Sequence, residues 1–253
     1  MKDLVGDQVD LDNIPFYGLA EVTVGGRSCV ISQTGFSGES GYEIYLRNAT
    51  LYADDMWDAV LEAGKKHNLM VIAPAHHRRI QAGILSWGQD LDHEHNPFQC
   101  NLGYQVSLSG KGEWEKKGDY IGKQALEKMK ADLKDGHKPY KLQLVGFEIG
   151  GKPIDEYAPD FWLVSPGDGG DPCGFITSPW YHPEKGKNIA MGYIPFDGTL
   201  NPNGFPKWEL GKKFKVHLPD IYADEPGVPV DAVTVDVPFT ESFNANTREV
   251  VKG

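Results

Sequence analysis

Long apolar runs are missing from this sequence. No stretch of its 253 residues approaches the roughly 20 that cross a bilayer, and Met1-Lys2-Asp3-Leu4-Val5-Gly6-Asp7 has no apolar core for export. A membrane is therefore not an expected partner, and a cytoplasmic location is. Positive charge is also scarce. With 25 Lys and Arg against 36 Asp and Glu, the net charge is −11, which repels phosphate backbones and argues against nucleic acid. Net charge is blind to a local basic pocket. Cysteine is limited to Cys29, Cys100 and Cys173, far apart and odd in number, which suits reduced thiols better than a disulfide framework. No metal site is expected either. His93-Glu94-His95 with Cys100 has metal-binding residue types, but Asp92, Asn96 and Pro97 around it mark a solvated loop. A Gly-x-Ser-x-Gly elbow is absent, and no His stands at a recognisable spacing from a cysteine. Gly167-Asp168-Gly169-Gly170-Asp171 lacks the Lys-Ser/Thr of a phosphate loop and the Glu of a calcium loop, and fits a hairpin turn.

What is present is an ordinary globular composition, 40% hydrophobic and 24% charged, on a chain long enough to bury a core in one large or two smaller domains. Ala20-Glu21-Val22-Thr23-Val24 alternates like a strand, and Gly25-Gly26 turns it into a second strand over Ser28–Ser32. From Thr50 the period changes. Met56, Trp57, Val60 and Leu61 mark the apolar face of a helix of about four turns, with Thr50 as N-cap, Gly64 as stop and Lys65-Lys66-His67 at its C-terminal end. Val71-Ile72-Ala73 is a short strand or lead-in. Pro74 then opens a second helix, with Ile80, Gly83, Ile84 and Trp87 as its stripe and Gly83 allowing close packing. His76, His77, Arg78 and Arg79 crowd the start of that helix, where cations are unfavourable; carboxylate partners or an anionic ligand would explain them.

Leu102–Val106 is expected as a strand, Glu113–Gly118 as a charged loop, Asp119–Leu133 as a third helix, and the charged run from Asp132 to Lys141 as a linker. Beyond it lie short strands punctuated by Gly and Pro: Leu142–Ile149, Phe161–Val164, Cys173–Ser178, Ile189–Ile194, Phe214–Leu218 and Val228–Val237. That spacing predicts a small antiparallel barrel or sandwich. The fold class is α+β, with an α+β domain over residues 1–135 and an all-β domain over 136–253.

One stretch concentrates chemistry: Gln33-Thr34-Gly35-Phe36-Ser37-Gly38-Glu39-Ser40-Gly41-Tyr42-Glu43-Ile44. Its glycines, set between two apolar runs, read as strand, glycine-rich loop and returning strand. Glu43 opens the returning strand. There it is either solvent-facing by alternation or held for a ligand.

Residues 34–44 resemble the central motif of the glycine-cleavage T-protein family, the folate-dependent aminomethyltransferases. The likeness continues in order through Arg79-Ile80-Gln81-Ala82-Gly83, Gly88-Gln89-Asp90-Leu91-Asp92, Leu102–Val106 and Asp119–Leu126. In the β part it extends through Gly174–Ser178 and Gly186–Pro195, and it covers most of residues 13–240. The resemblance implies a T-protein-type folate-binding domain, here partial, followed by a small antiparallel β-barrel. It implies tetrahydrofolate as cofactor and a small-molecule one-carbon donor as partner. By position Glu43 matches the family's pterin-binding glutamate, whose carboxylate accepts from the pterin amino group and ring N–H together. Glu39 supports the loop.

The departures from the family pattern matter as much. Where the family carries a folate-contacting Arg, this chain has Ala75, followed by His76 and His77. Arg78 and Arg79 are the cations left to replace it, with Arg79 kept as the candidate, although a helix turns by about 100° per residue and neither points the same way. Trp87, ahead of Gly88, either stacks on a flat ring or closes the core. The Ala-His-His-Arg-Arg cluster and Trp87 are more similar to the tetrahydrofolate-dependent O-demethylases of methoxylated aromatic acids. The family also has a substantial segment ahead of the hairpin, so the chain is expected to be a C-terminal portion whose open side exposes apolar surface and favours association. That missing segment holds the family's chemistry, so no catalytic residue is assigned. The expected function is one-carbon transfer, methyl or aminomethyl, to or from tetrahydrofolate. The alternative is a non-catalytic folate-binding or assembly module that keeps the fold without the chemistry.

Overall fold

The computed structural model describes residues 1–108 and 119–240. Their contacts form two units, Met1–Ala82 and Gly83–Thr240. The charged loop expected over Glu113–Gly118 and the last residues of the expected β domain, 241–253, lie outside the described residues.

The first unit is built on a three-stranded antiparallel sheet, β1 (Leu19–Val24), β2 (Arg27–Ser32) and β3 (Glu43–Leu46), in the order β1-β2-β3. Alternation sends Val22, Val24, Cys29 and Ile31 to one face, where they are buried with Val5, Leu11, Ile14 and Met56. Two short elements supply part of that cover, helix α1 (Lys2–Val5) and a 3₁₀ turn at Leu11–Asn13. The larger α2 (Ala49–Gly64) contributes Met56, with Ala59 and Val60 partly buried against the cluster. Trp57, expected on the apolar face, is 53% exposed, because Met56 and Val60 one turn apart already define the inward stripe. Thr50 is not the N-cap. Asn48 is, in the left-handed region at φ 56°, without a side-chain capping bond. Gly64 does end α2, and a 3₁₀ turn at Lys65–His67 carries the chain to Asn68, with Leu69 N–H donating to the Gly64 carbonyl at 3.1 Å.

Val71-Ile72-Ala73 forms no strand, and Val71 and Ile72 are exposed. The next helix, α3 (His76–Gln81), is shorter than its predicted stripe. Ile80 is buried, but Gly83 takes φ +67° and ends the helical path, so Ile84 and Trp87 never join the stripe.

In the second unit, α4 (Lys123–Lys134) begins after Gly122, four residues later than expected, and buries Leu133 against Phe98 and Phe196. Leu102–Val106 is not a strand but contains a 3₁₀ turn at Gly103–Gln105. Six strands follow: β4 (Leu142–Ile149), β5 (Trp162–Pro166), β6 (Gly174–His182), β7 (Lys187–Pro195), β8 (Lys213–Val216) and β9 (Val230–Val235). They form a closed antiparallel barrel in the order β4-β7-β6-β5-β8-β9, with β9 pairing back onto β4. Closure leaves no free edge. Val145, Phe147, Val164, Ile176, Ala190 and Val216 are among the residues of its core. The chain thus combines an α+β unit with a small antiparallel barrel, as its sequence predicts. Among the described residues no helix is long and apolar enough to cross a membrane.

Candidate functional site

Glu43 is the first residue of β3, paired with Ser32 on β2. Ile44 and Leu46 pack toward the core, so alternation turns Glu43 and Tyr45 outward on the opposite face. The carboxylate is nevertheless held. Its Oε2 accepts from the Thr34 hydroxyl and, at 3.1 Å, from the Tyr45 hydroxyl. The Ser32 and Thr34 hydroxyls lie 3.0 Å apart, which extends the chain of polar contacts along the end of the β2–β3 loop. Both bonds fall on one oxygen, and Oε1 accepts none among the described residues. A side chain at Gly35 or Gly41 would meet nothing within 4 Å, so the loop has open space beside the backbone. The result is an exposed carboxylate with a fixed orientation and one oxygen still available to pair with a planar donor edge.

The same loop is tied to α3. Glu39 accepts from Arg78 at 3.4 Å, with both side chains about half exposed, so a carboxylate supplies part of the compensation that the cations of α3 require. An exposed pair of this kind stabilises by at most about 1 kcal/mol and serves mainly to orient the loop. Arg79 is fully buried, donates from Nε to His76 Nδ1 at 3.3 Å, and has its guanidinium 5.8 Å from the half-exposed Phe36 ring. Burial, and then the neighbouring Arg78 cation, hold the His77 imidazole below its ordinary value of 6.5, so at neutral pH it adds no charge to this crowded helix.

Trp87 belongs to the second unit, where it lies on a tight turn and is 61% exposed. Of the alternatives drawn from the sequence, core closure therefore does not describe it. Its ring meets His93 edge to face at 4.9 Å. The turn is organised by Asp90, which is fully buried. Asp90 Oδ2 accepts from the Ser86 N–H at 2.8 Å, and Asp90 N–H donates to the Ser86 carbonyl at 2.8 Å. Oδ1 accepts from the hydroxyls of Thr177 and Ser178 on β6, at 2.5 and 2.6 Å, and the Tyr193 hydroxyl on β7 donates to the Asp90 carbonyl at 2.6 Å. Burial pushes the Tyr193 phenol far above its ordinary value of 10, so it remains a donor.

Sequence reasoning did not single out Thr34, Tyr45 or Asp90. Tyr45 could have been found from same-face spacing to Glu43. Asp90 has its partners 87 and 88 residues further along the chain, and no local pattern reports that. His95 Nδ1 lies 2.7 Å from Asp92 Oδ1, and among the described residues no three His, Cys, Asp or Glu side chains converge as a metal set. Burial raises the Cys29, Cys100 and Cys173 thiols above their ordinary value, which disfavours the thiolate form.

Comparison with known proteins bears on the same elements. The family model described as the GCVT N-terminal domain matches residues 1–110. An aminomethyltransferase of Halothermothrix orenii is 31% identical over 191 residues, 75% of this chain and 48% of that protein. One from Caldanaerobacter subterraneus subsp. tengcongensis is 31% identical over 188 residues, covering 73% of this chain and 45% of that protein. The chain spans about half the length of these curated relatives. The crystal structure of the glycine cleavage system aminomethyltransferase T from Bartonella henselae superposes with a TM-score of 0.65 at 19% identity, over 93% of this chain and 55% of that one, which is a likeness of fold. The family model falls on the glycine-rich loop and the sheet that carries Glu43, the relatives extend the match beyond it, and the fold agrees: residues 1–110 match the GCVT N-terminal domain family, and the chain is similar to glycine-cleavage aminomethyltransferases over about half of their length.

Proposed function

We propose that this chain acts in tetrahydrofolate-dependent one-carbon transfer, with Glu43 as its pterin anchor. The observation that carries this reading is the Glu43 carboxylate, exposed, held by Thr34 and Tyr45 on one oxygen and open on the other. The residues fit the cofactor, because a pterin presents an amino group and a ring N–H side by side, and a fixed carboxylate beside an open loop can accept from both. Tetrahydrofolate, when bound, supplies the nitrogen that takes up or releases the one-carbon unit. Glu43 binds and orients the ring, and Thr34 and Tyr45 keep its carboxylate from rotating. Trp87 is a separate aromatic candidate on the second unit, exposed and suited by its own surface to a flat ring. Arg79, buried beside His76, shapes α3 rather than presenting a charge to solvent, and as a cofactor residue it acts through that helix. Orientation of the folate nitrogen against the donor is the expected source of rate enhancement.

The relatives named as aminomethyltransferases favour an aminomethyl donor. A second reading, methyl transfer from an aryl ether, is favoured by Ala75 at the N-cap of α3 in place of the family's Arg. Binding and turnover separate the possibilities. Tetrahydrofolate titrated into the 253-residue chain is expected to bind, and Glu43→Ala to weaken binding by about ten- to a hundredfold, the value of a charged pair of hydrogen bonds. Unchanged affinity in Glu43→Ala would remove the anchor assignment. Incubation with aminomethyl lipoate, a sulfonium compound or an aryl methyl ether, monitored for methylene- or methyl-tetrahydrofolate, identifies the donor. Binding without turnover of any donor supports a folate-binding or assembly module instead.

A further inference from the structure

We infer that Asp90 is a positioning residue for Trp87, setting the aromatic platform from the barrel wall. The inference rests on the proposed folate reading for what the platform meets, and on geometry alone for the positioning. Trp87 lies within a five-residue loop whose two ends are joined through one carboxylate. Ser86, on one side, donates its N–H to Asp90 Oδ2 at 2.8 Å and accepts from Asp90 N–H at 2.8 Å. Gly88 N–H donates to the Leu91 carbonyl at 2.8 Å, and Trp87 and Leu91 form an isolated β-bridge. This closes the turn but does not fix where it points. Orientation comes from the other oxygen of Asp90, which takes the hydroxyls of Thr177 and Ser178 on adjacent positions of β6. The Tyr193 hydroxyl on β7 fixes the Asp90 carbonyl, and the Gln89 side-chain amide donates to the Thr177 carbonyl at 2.9 Å.

Strands β6 and β7 are neighbours in a closed barrel, so these anchors share a rigid frame. The β6–β7 register shifts between Ile176 and Ser178. A bulge there turns successive side chains, Thr177 and Ser178, toward the same acceptor, which regular alternation would prevent. Asp90 and both hydroxyl residues are almost fully buried, yet the indole they support remains mostly exposed. A buried polar cluster of this size is expensive to build for a surface turn with no task. A precisely aimed stacking surface supplies one. The ligand class is a flat heteroaromatic ring, which gains from a platform that does not have to be ordered on binding.

The test labels the full 253-residue chain with 5-fluorotryptophan and assigns the Trp87 ¹⁹F resonance by its loss in Trp87→Phe. Thr177→Val and Asp90→Asn are expected to shift or broaden the Trp87 signal while that of Trp162, in the barrel core, stays in place. Thr177→Ser, which keeps the hydroxyl, is expected to restore the Trp87 signal. An unmoved Trp87 signal in Thr177→Val, with the fold intact by Trp162, overturns the positioning role. So does a Trp87 signal that moves equally in Thr177→Ser. Tetrahydrofolate affinity is read in the same samples and is expected to fall about tenfold in Thr177→Val, the scale of one stacked ring. A Trp87 signal that moves while affinity holds leaves Asp90 as the pin of the turn and overturns Trp87 as the folate platform. Loss of affinity in Glu43→Ala, measured separately, reports on the folate reading itself.

Discussion

At the scale of single residues, Glu43 shows that exposure and order are separate properties. Its carboxylate faces solvent by strand alternation, yet two hydroxyls converge on one oxygen and restrict its rotation. Rotamer freedom in a Glu side chain is worth about 1–2 kcal/mol, and a ligand that meets a carboxylate already held does not have to supply it. Tyr45→Phe removes one of the two restraints while keeping the ring on the exposed face. We expect it to weaken tetrahydrofolate binding by about three- to tenfold, with Thr34→Val acting in the same direction, and to leave thermal stability nearly unchanged, since an exposed hydrogen bond contributes at most about 1 kcal/mol to folding. Isothermal titration alongside a melting curve measures both. If Tyr45→Phe and Thr34→Val each bound as tightly as the parent chain, the held carboxylate would have no part in recognition.

At the scale of elements, the loop-bearing sheet and the barrel strands were legible because each obeys one local rule. The alternation of Val22, Val24, Cys29 and Ile31 marks the inner face of the sheet, and the apolar run Leu142–Ile149 is β4 residue for residue. The misreadings arise where one residue or a distant contact overrides the period. Leu102–Val106 has strand composition but folds as a 3₁₀ turn, and a Cβ at Gly103 would sit 2.7 Å from Phe205 Cδ1, a partner no window of sequence contains. Ile80, Gly83, Ile84 and Trp87 have helical spacing, but spacing predicts a face only while the backbone stays helical, and at Gly83 it does not. Two demands meet at Gly83: φ is +67°, and an added Cβ would fall 2.3 Å from Val237 Cγ1. Gly83→Ala must therefore accept a left-handed backbone and displace a β-branched side chain. We expect a loss of about 2–4 kcal/mol, the sum of a left-handed alanine and an overpacked contact, visible as a lower urea midpoint. A change below about 0.5 kcal/mol, the ordinary scatter of surface substitutions, would mean that neither demand is real.

At the scale of the whole molecule, the two units differ in how their strands are protected, and this sets where the chain opens first. The barrel closes on itself, and β7 has seven consecutive buried residues from Asn188 to Ile194. Among the described residues the first unit offers an open sheet of three strands, in which β3 is an edge and none of its four residues is fully buried. The glycine-rich loop and Glu43 thus lie on the less protected framework, while the Trp87 turn is pinned to the more protected one. Ligand-binding segments are commonly drawn from the less stable part of a fold, because they must adjust when the ligand arrives. Amide exchange follows the free energy of local opening, with each factor of ten in rate corresponding to about 1.4 kcal/mol. In native-state hydrogen–deuterium exchange read by mass spectrometry, peptides covering β4 and β7 should exchange at least about a hundredfold more slowly than those covering β3. Tetrahydrofolate at saturation should then slow exchange in residues 33–46 more than in β4 or β7, because only the first of these has opening left to suppress. Equal protection of β3 and β7 in the absence of ligand would show that the open sheet is as firmly held as the closed barrel, and the assignment of Glu43 to an adjustable framework would fail.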